Sequence, residues 1–437
     1  MITVSKRFDQ SHVSAPLSPS TASARQVASG SVTLVIAMMV VNAVNFGINI
    51  WLASVLAPGT FGDISLMVTL LLVVGVLASV LQLTTSVAVL EPSRNTSRDL
   101  RAMRLLTNRI GMGSALVLAL AAPQLTQVLR VGSPWALLVM AFGLPLHLQL
   151  AVERGRLHGE MAFEKLTLTI LAEGASRAVA TGVAVLFAGN LLSLTVALNV
   201  GFLTSYLVCR PRLGAWSWWD LSSPLGHPPL RSVGVGLIAV TLLINVDLFV
   251  AKVLFDPVVA GGFAALTLAG RIVFFGSWTI QQVVLPFVTA DDAPFTETLR
   301  RRAFTAVNLV VASVLAGIGW LTADLWVAIT SDGTFADLAS LVGPYALGAG
   351  LIAILAGVAM LSSVSGDSRP AFVLLGGVMA LGLALLLNGD SLEAFVAART
   401  AVVMLLVVLA WGVSIHGNRV TQRNRRNRRL DIGESPI

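Results

Sequence analysis

The sequence predicts an all-α membrane protein with twelve transmembrane helices. The first observation behind this prediction is composition: 56% of the 437 residues are hydrophobic, 12% are charged, and the mean hydropathy is +0.84. A soluble chain of this length needs a larger polar surface. Apolar runs of about 20 residues match the ~30 Å hydrocarbon core of a bilayer, whereas a membrane β-barrel would show short segments of alternating hydrophobicity.

Twelve such apolar runs can be placed along the chain. They cover residues 33–56, 64–87, 106–129, 135–152, 166–189, 191–208, 233–254, 264–288, 303–329, 341–362, 371–387 and 395–413. A polar, Trp-rich interval separates the first six from the last six. The predicted organisation is a disordered cytoplasmic tail at 1–30, an N-terminal six-helix bundle at 31–209, a cytoplasmic connecting loop at 210–232, a C-terminal six-helix bundle at 233–415 and a basic cytoplasmic tail at 416–437.

The second observation is that Lys and Arg are concentrated in alternate gaps between the runs. Of the 29 such residues, 23 lie in the two terminal tails and in every second gap, while the gaps in between hold only Arg130. Positive charge close to membrane spans is retained in the cytoplasm. The pattern predicts a multi-pass protein of the cytoplasmic (inner) membrane with both termini in the cytoplasm. The net charge of +7 then indicates contact with anionic lipids at the basic tails, not with nucleic acid.

Motifs of the common enzyme classes do not occur in the chain. It contains no Gly-Lys dipeptide and so no Walker A loop, and it contains no HExxH, GxSxG or CxxC. Its five His residues have no metal-ligand spacing. No gap between the runs is long enough for a soluble catalytic domain. We therefore expect a protein that is not an enzyme and that uses no metal or cofactor.

Charges inside the apolar runs are the candidates for function. The basic ones are Arg109, Arg177, Lys252, Arg271 and Arg399. Arg109 and Arg399 lie near run ends, so we expect them to extend to the membrane surface. A charge at the bilayer centre costs ~2.5–3.5 kcal/mol on insertion scales. The other three therefore require a cavity or a partner.

Two acidic residues accompany these basic ones. Glu173 and Arg177 are four residues apart on one helix face, and they form either a self-neutralised pair or part of a cavity. Asp247 is the candidate for a proton- or cation-coupled carboxylate. The alternative for Asp247 is a structural salt bridge to Arg271 or Lys252.

Uncharged polar residues recur in corresponding runs of the two halves. Asn42, Asn45 and Asn49 form a stripe on one face of the first run, which either lines water or bonds a neighbouring helix. The halves also resemble each other weakly, with Gly62 matching Gly261 and Gln82 matching Gln281. Equivalent spans of the two halves are six spans apart in the chain. Because six is even, equivalent spans cross the membrane in the same direction, and the halves are parallel repeats. Such repeats are typical of transporters that bind substrate near the midplane between the halves.

Two segments carry a family resemblance. The stretch from Asn45 to Gly62 and the stretch from Asn245 to Phe263 resemble polysaccharide-biosynthesis transporters, the O-antigen flippase branch of the multidrug/oligosaccharidyl-lipid/polysaccharide (MOP) exporter superfamily. The chain departs from the family pattern by having Phe263 where Tyr is commoner. The resemblance implies two six-helix bundles around a central cavity and a flippase for lipid-linked oligosaccharides that works by alternating access.

This resemblance also implies roles and partners. The substrate is expected to be a lipid-linked glycan, and glycan-assembly proteins are expected as further partners. Because a diphosphate is anionic, Arg177, Lys252 and Arg271 are the expected ligands. The remaining expected cavity residues are the polar ones, namely Asn42, Asn45, Asn49, Gln82 and Gln281, with Glu173 and Asp247 as coupling or charge-pair residues.

Two other functions remain open at this point. One is a cation-coupled drug or metabolite antiporter of the same superfamily, which would need carboxylates in its cavity more than cations. The other is a non-transporting membrane accessory factor of glycan synthesis, in which the polar stripes would only hold helices together. A major-facilitator transporter is disfavoured because the gap from Glu91 to Arg104 lacks that family's Gly- and Asp-containing loop.

Overall fold

A computed structural model describes residues 21–90, 96–209, 230–289, 297–331, 336–364 and 369–431. Within these ranges the regular structure is helical, with thirteen α-helices and one short 3-10 helix at Ala336–Leu338. Twelve of the helices are long and apolar enough to cross a membrane. The predicted all-α membrane protein with twelve spans is confirmed. Residues 1–20 of the predicted N-terminal tail, 210–229 of the predicted loop and 432–437 of the predicted C-terminal tail lie outside the described residues.

The helices divide into two sets along the chain. The N-terminal half contains α1 (Thr21–Val55), α2 (Pro58–Leu90), α3 (Thr96–Val128), α4 (Pro134–Gly159), α5 (Phe163–Phe187) and α6 (Leu191–Cys209). The C-terminal half contains α7 (Leu230–Leu254), α8 (Pro257–Thr289), α9 (Glu297–Leu321), α10 (Ala323–Ser331), α11 (Ala339–Val364), α12 (Arg369–Leu387) and α13 (Leu392–Asp431).

One predicted run is divided in the structure. Residues 303–329 were expected to form one span, but α9 ends at Leu321 and the nine-residue α10 follows. At the break, the carbonyl of Ile318 accepts two hydrogen bonds from Thr322, one from its hydroxyl at 2.8 Å and one from its backbone N–H at 2.9 Å. Asp324 then lies in the first turn of α10, where a negative charge favours a helix start.

The two halves repeat the same helix packing. In the first half, α4 packs against α2, α3 and α6, while α5 packs against α1 and α6. In the second half, α11 packs against α8, α9 and α13, while α12 packs against α7 and α13. The central helices α4 and α11 are strongly enclosed, with 61% and 72% of their most apolar windows buried. The halves are thus parallel repeats, as the even number of spans predicts.

Gly62 and Gly261, which the internal repeat aligns with each other, are in contact on the axis between the halves. Both α2 and α8 begin with Pro and contain 33 residues, and Gly62 and Gly261 occupy equivalent positions in them. A Cβ added to Gly62 would lie 3.1 Å from the Cα of Gly261, and a Cβ on Gly261 would overlap the backbone of Pro58. The absence of side chains therefore lets the two backbones touch.

The halves meet at one end of the molecule, which we call the closed end: the end where α2 and α8 begin. Every residue of α2 from Phe61 to Met67, and every residue of α8 from Ala260 to Arg271, is buried on all sides. Towards the opposite or far end, exposed residues such as Leu83 of α2 and Ile280 of α8 appear. The two repeat helices are thus enclosed at the closed end and less covered at the far end.

Candidate functional site

A buried ion pair joins the two halves at the closed end. The ammonium of Lys252, on α7, lies 2.5 Å from a carboxylate oxygen of Asp63, on α2. The other oxygen of Asp63 accepts a hydrogen bond from the backbone N–H of Gly132 at 2.8 Å. Lys252 is 1% exposed and Asp63 is 5% exposed. Asp63 was not among the sequence candidates, although it directly follows the repeat residue Gly62.

Arg271 lies at the same interface but closer to the middle of the span Pro257–Gln282. Its guanidinium donates hydrogen bonds to the hydroxyl of Thr69, on α2, at 2.5 Å and to the amide oxygen of Asn245, on α7, at 3.2 Å. Its Nε is buried without a hydrogen-bond partner. In the part of the chain that the structure describes, Arg271 forms no ion pair with a carboxylate. Its direct hydrogen-bond partners are therefore neutral, and the Asp247 carboxylate acts on it electrostatically without a direct contact.

In the N-terminal half, one carboxylate binds two arginines. One oxygen of Glu173 lies 2.5 Å from Arg177 and the other lies 2.7 Å from Arg154. Arg154 is one of the 23 basic residues of the alternating charge pattern, but its guanidinium is directed into the half and also donates hydrogen bonds to Thr169 and Ser205. The predicted pair of Glu173 and Arg177 is present, and Arg154 leaves this cluster with one excess positive charge.

Aromatic groups complete the N-terminal cluster. The guanidinium of Arg177 lies 4.9 Å from the ring centroid of Phe202, and the imidazole of His147 packs on the same ring at 4.3 Å. Both ring nitrogens of His147 are buried without hydrogen-bond partners. His147 and Arg154 are two helical turns apart on α4, so they share one face. That spacing was the sequence signal that could have identified Arg154 as an interior residue.

The C-terminal half contains a second buried pair, between Asp247 and Arg399. The Nε of Arg399 lies 2.7 Å from a carboxylate oxygen of Asp247, and neither side chain is exposed. The hydroxyl of Tyr345 donates to the same oxygen at 2.7 Å, and the backbone N–H of Leu248 donates to the other oxygen at 2.8 Å. The guanidinium also lies 4.0 Å from the Tyr345 ring centroid.

This pair corrects two expectations. Arg399 was expected to extend to the membrane surface, but it is fully buried because its side chain is the counter-charge of Asp247. The structural alternative for Asp247 named Arg271 or Lys252 as its partner, and the partner is Arg399 instead. Arg109, the other residue expected at the surface, is exposed.

The uncharged candidates do not form one site. Asn42 is exposed, while Asn45 and Asn49 are half-buried and joined by a hydrogen bond from the Asn49 amide to the Asn45 carbonyl at 2.7 Å. Gln82 is half-buried near the far end of α2. Gln281 is buried within the C-terminal half, where its amide donates to the side chain of Asn308 at 2.7 Å and to the carbonyl of Ala353 at 2.8 Å.

The charged candidates and their direct partners therefore lie in three groups. They are the interface pair (Asp63, Lys252), the N-terminal cluster (Arg154, Glu173, Arg177) and the C-terminal cluster (Asp247, Arg271, Arg399). Together they hold five basic and three acidic groups, so positive charge is in excess. A further buried carboxylate, that of Glu153, is bound by Arg104 and Arg156. Among the described residues, no group of three or more His, Cys, Asp and Glu could hold a metal ion.

Solved structures similar to this one include membrane transporters. The structure is similar to a multidrug resistance MATE family transporter of the MOP superfamily in its inward-facing conformation, with 13% identity, 89% of this chain and 99% of that chain covered, and a TM-score of 0.64. An outward-facing structure of a multidrug resistance MATE family transporter gives 13% identity, coverage of 89% and 95%, and a TM-score of 0.58. No protein-family model matches the sequence, and none of the curated proteins compared with it does.

A third similar structure differs in the charge of its pocket. It is a MOP superfamily transporter from Pyrococcus furiosus whose description reads "reverse polarity of binding pocket suggests different function", with 12% identity, coverage of 89% and 95%, and a TM-score of 0.51. The likeness defines a class by fold: this chain has a MATE-like transporter fold. The similar structures named here are transporters and not enzymes.

Proposed function

We propose that the protein is a secondary transporter that flips a lipid-linked oligosaccharide or polysaccharide precursor across the cytoplasmic membrane by alternating access. The observation that carries this proposal is Arg271. It is buried at mid-membrane depth between the halves, and its direct hydrogen bonds are to neutral groups. The carboxylate that acts on it electrostatically, that of Asp247, is already paired with Arg399. A buried cation without a counter-charge of its own is costly. An anionic substrate group such as a diphosphate would supply that charge through strong, charge-assisted hydrogen bonds.

Alternating access is supported by the packing of the halves. The two halves have matching helix contacts and meet at the closed end, so each can move as a unit about that contact. Similar MATE family transporters have been seen in an inward-facing and in an outward-facing conformation. Basic residues such as Arg101, Lys165 and Arg369 lie near helix ends at the far end. By the positive-inside bias the far end is cytoplasmic, so this conformation is the inward-facing one.

A drug or metabolite antiporter is the second candidate, because the similar structures include multidrug resistance transporters. A cationic substrate needs a carboxylate that is not already neutralised. Asp63, Glu173 and Asp247 each have a basic partner within 2.7 Å. The pocket of the transporter from Pyrococcus furiosus sets a precedent for a change of polarity within the superfamily. The charge balance therefore favours the anionic substrate.

The test is a flipping assay in liposomes. The purified protein is reconstituted with a fluorescent polyprenyl-diphosphate oligosaccharide, and a membrane-impermeant reagent reports how fast the lipid appears in the other leaflet. Arg271→Gln should slow flipping by about 10- to 100-fold, since a hydrogen bond to a charged group contributes roughly 1.5–3 kcal/mol. Arg271→Lys should retain part of the rate. Arg109→Gln, which changes an exposed arginine of another span, is the matched control and should retain the full rate.

Other outcomes would select the other functions. Flipping of the diphosphate lipid that is equal in wild type and Arg271→Gln would refute a role for this cation. Transport of organic cations driven by a proton or sodium gradient, without lipid flipping, would support the antiporter. A folded wild type with neither activity would support the accessory factor.

A further inference from the structure

We propose that the buried pair of Asp63 and Lys252 is a latch that holds the closed end shut and must separate for the transporter to open there. This inference rests on the proposed alternating-access function. The pair joins α2 of the first half to α7 of the second, and its partners are 189 positions apart in the chain. It lies beside the glycine contact on the axis between the halves, at the end where α2 and α8 are enclosed.

The environment of the pair makes closure depend on both charges. Each side chain is nearly excluded from solvent, and the two polar atoms lie 2.5 Å apart. The second oxygen of Asp63 is already bound by the N–H of Gly132. Removing one charge would therefore leave the other buried without a partner, which is a large penalty for the closed state. In a state opened at this end, water reaches both groups and the penalty disappears.

A loop reinforces the latch from the rim. In the connection between α3 and α4, the backbone N–H of Gly132 donates to Asp63. Two residues earlier, the guanidinium of Arg130 donates to the carbonyl of Phe255 at 3.1 Å and lies 3.4 Å from the Asp256 carboxylate. Arg130 has a backbone φ of +48°, which is unfavourable for a residue with a side chain. Because this outer ion pair is exposed, it contributes little, and the buried pair carries the closure.

The C-terminal half offers an internal comparison. Arg399 and Asp247 are equally buried and 2.7 Å apart, but both lie within one half. Opening the closed end does not expose them. Breaking this pair must therefore lower the stability of the half, whereas breaking the latch must change the conformation and leave each half intact. The two buried pairs can be separated by experiment on that basis.

The experiment measures distances between spin labels by pulsed electron resonance. One pair of labels, at Phe187→Cys and Leu387→Cys, reports on the closed end, and a second pair, at Leu168→Cys and Phe372→Cys, reports on the far end. All four positions are exposed, and they mark the corresponding helices α5 and α12. The buried native cysteine is replaced by Cys209→Ser.

Lys252→Met should raise the ratio of long to short distances at the closed end by at least about tenfold. The far-end pair should shift towards shorter distances. The swapped variant Asp63→Lys with Lys252→Asp should restore the wild-type ratio at least in part. Arg130→Ala should shift the ratio in the same direction but less. The control Arg399→Met should lower the unfolding temperature without changing either ratio.

Two results would overturn the latch. In the first, Lys252→Met is folded and both distance distributions equal those of wild type. In the second, Lys252→Met fails to fold, which is the behaviour of a pair within one bundle and not of a contact between two. These readouts need no substrate. A latch that responds as described in a protein that flips no lipid would refute the proposed substrate and leave the latch standing.

Discussion

Replacing Arg399 by Met should destabilise the C-terminal half strongly. In the structure the guanidinium contacts Asp247 at 2.7 Å, the Tyr345 carbonyl at 3.3 Å and the Tyr345 ring at 4.0 Å from its centroid. Met preserves much of the apolar volume, so little packing is lost. The main effect is that Asp247 keeps its hydrogen bonds from Tyr345 and Leu248 but loses its counter-charge.

The size of this effect follows from the burial of the pair. Leaving one member of a fully buried ion pair unpaired costs about 3–5 kcal/mol. The double variant Asp247→Asn with Arg399→Met removes both charges, and the amide can still accept the hydrogen bond from Tyr345. Replacement of a whole buried pair by neutral groups is often close to neutral in stability. The double variant should therefore lose less stability than either single variant.

The assay is unfolding in mixed detergent micelles followed by tryptophan fluorescence, for the wild type, both single variants and the double variant. The quantity of interest is the coupling energy between the two positions. Arg109→Met, at an exposed position in α3, controls for loss of an arginine. A double variant whose loss equals the sum of the two single losses would refute the reasoning, because the two charges would then not depend on each other.

Three further predictions concern contacts between helices. Gly261→Val should prevent closure at the closed end, because its side chain would overlap Pro58; cross-linking between the halves would measure this. Gly155→Val should destabilise the N-terminal half by about 1–3 kcal/mol, because α4 contacts the α2 backbone there, while Gly376→Val, with open space around it, should be nearly neutral in the same unfolding assay. Thr69→Val should bind the diphosphate lipid more tightly in a direct binding titration, because Arg271 loses a competing acceptor; weaker binding would contradict that view.

Local features of the site were predictable from the sequence. The twelve spans followed from the length of the apolar runs, and the pair of Glu173 and Arg177 followed from a spacing of four on one helix. The internal repeat showed that Gly62 and Gly261 occupy equivalent positions in the two halves. It did not show that they are in contact. In each case the information lies within a helix or in its alignment with another segment.

Pairs between distant helices were not predictable in the same way. Asp247 and Arg399 are separated by 152 residues, and charge counting along the chain cannot identify which of several buried bases faces a given acid. The position of Arg399 near a run end suggested the membrane surface, whereas tertiary packing directs its side chain inwards. Arg154 was likewise expected only to orient the protein in the membrane, because it belongs to the alternating charge pattern. That pattern indicates the side of the membrane on which a residue lies and not the direction of its side chain.

The separation of Asp247 from Arg399 also has a consequence for synthesis of the protein. At about 5–20 residues per second, a ribosome needs roughly 8–30 s to add the 152 residues between them. During that interval α7 is already made, while its counter-charge is not. The N-terminal half has no such delay for Glu173, whose partner Arg177 follows within one helical turn. The second half must therefore wait for its last membrane helix, and a nascent chain cut short before α13 would present an uncompensated acid to the quality-control machinery of the membrane.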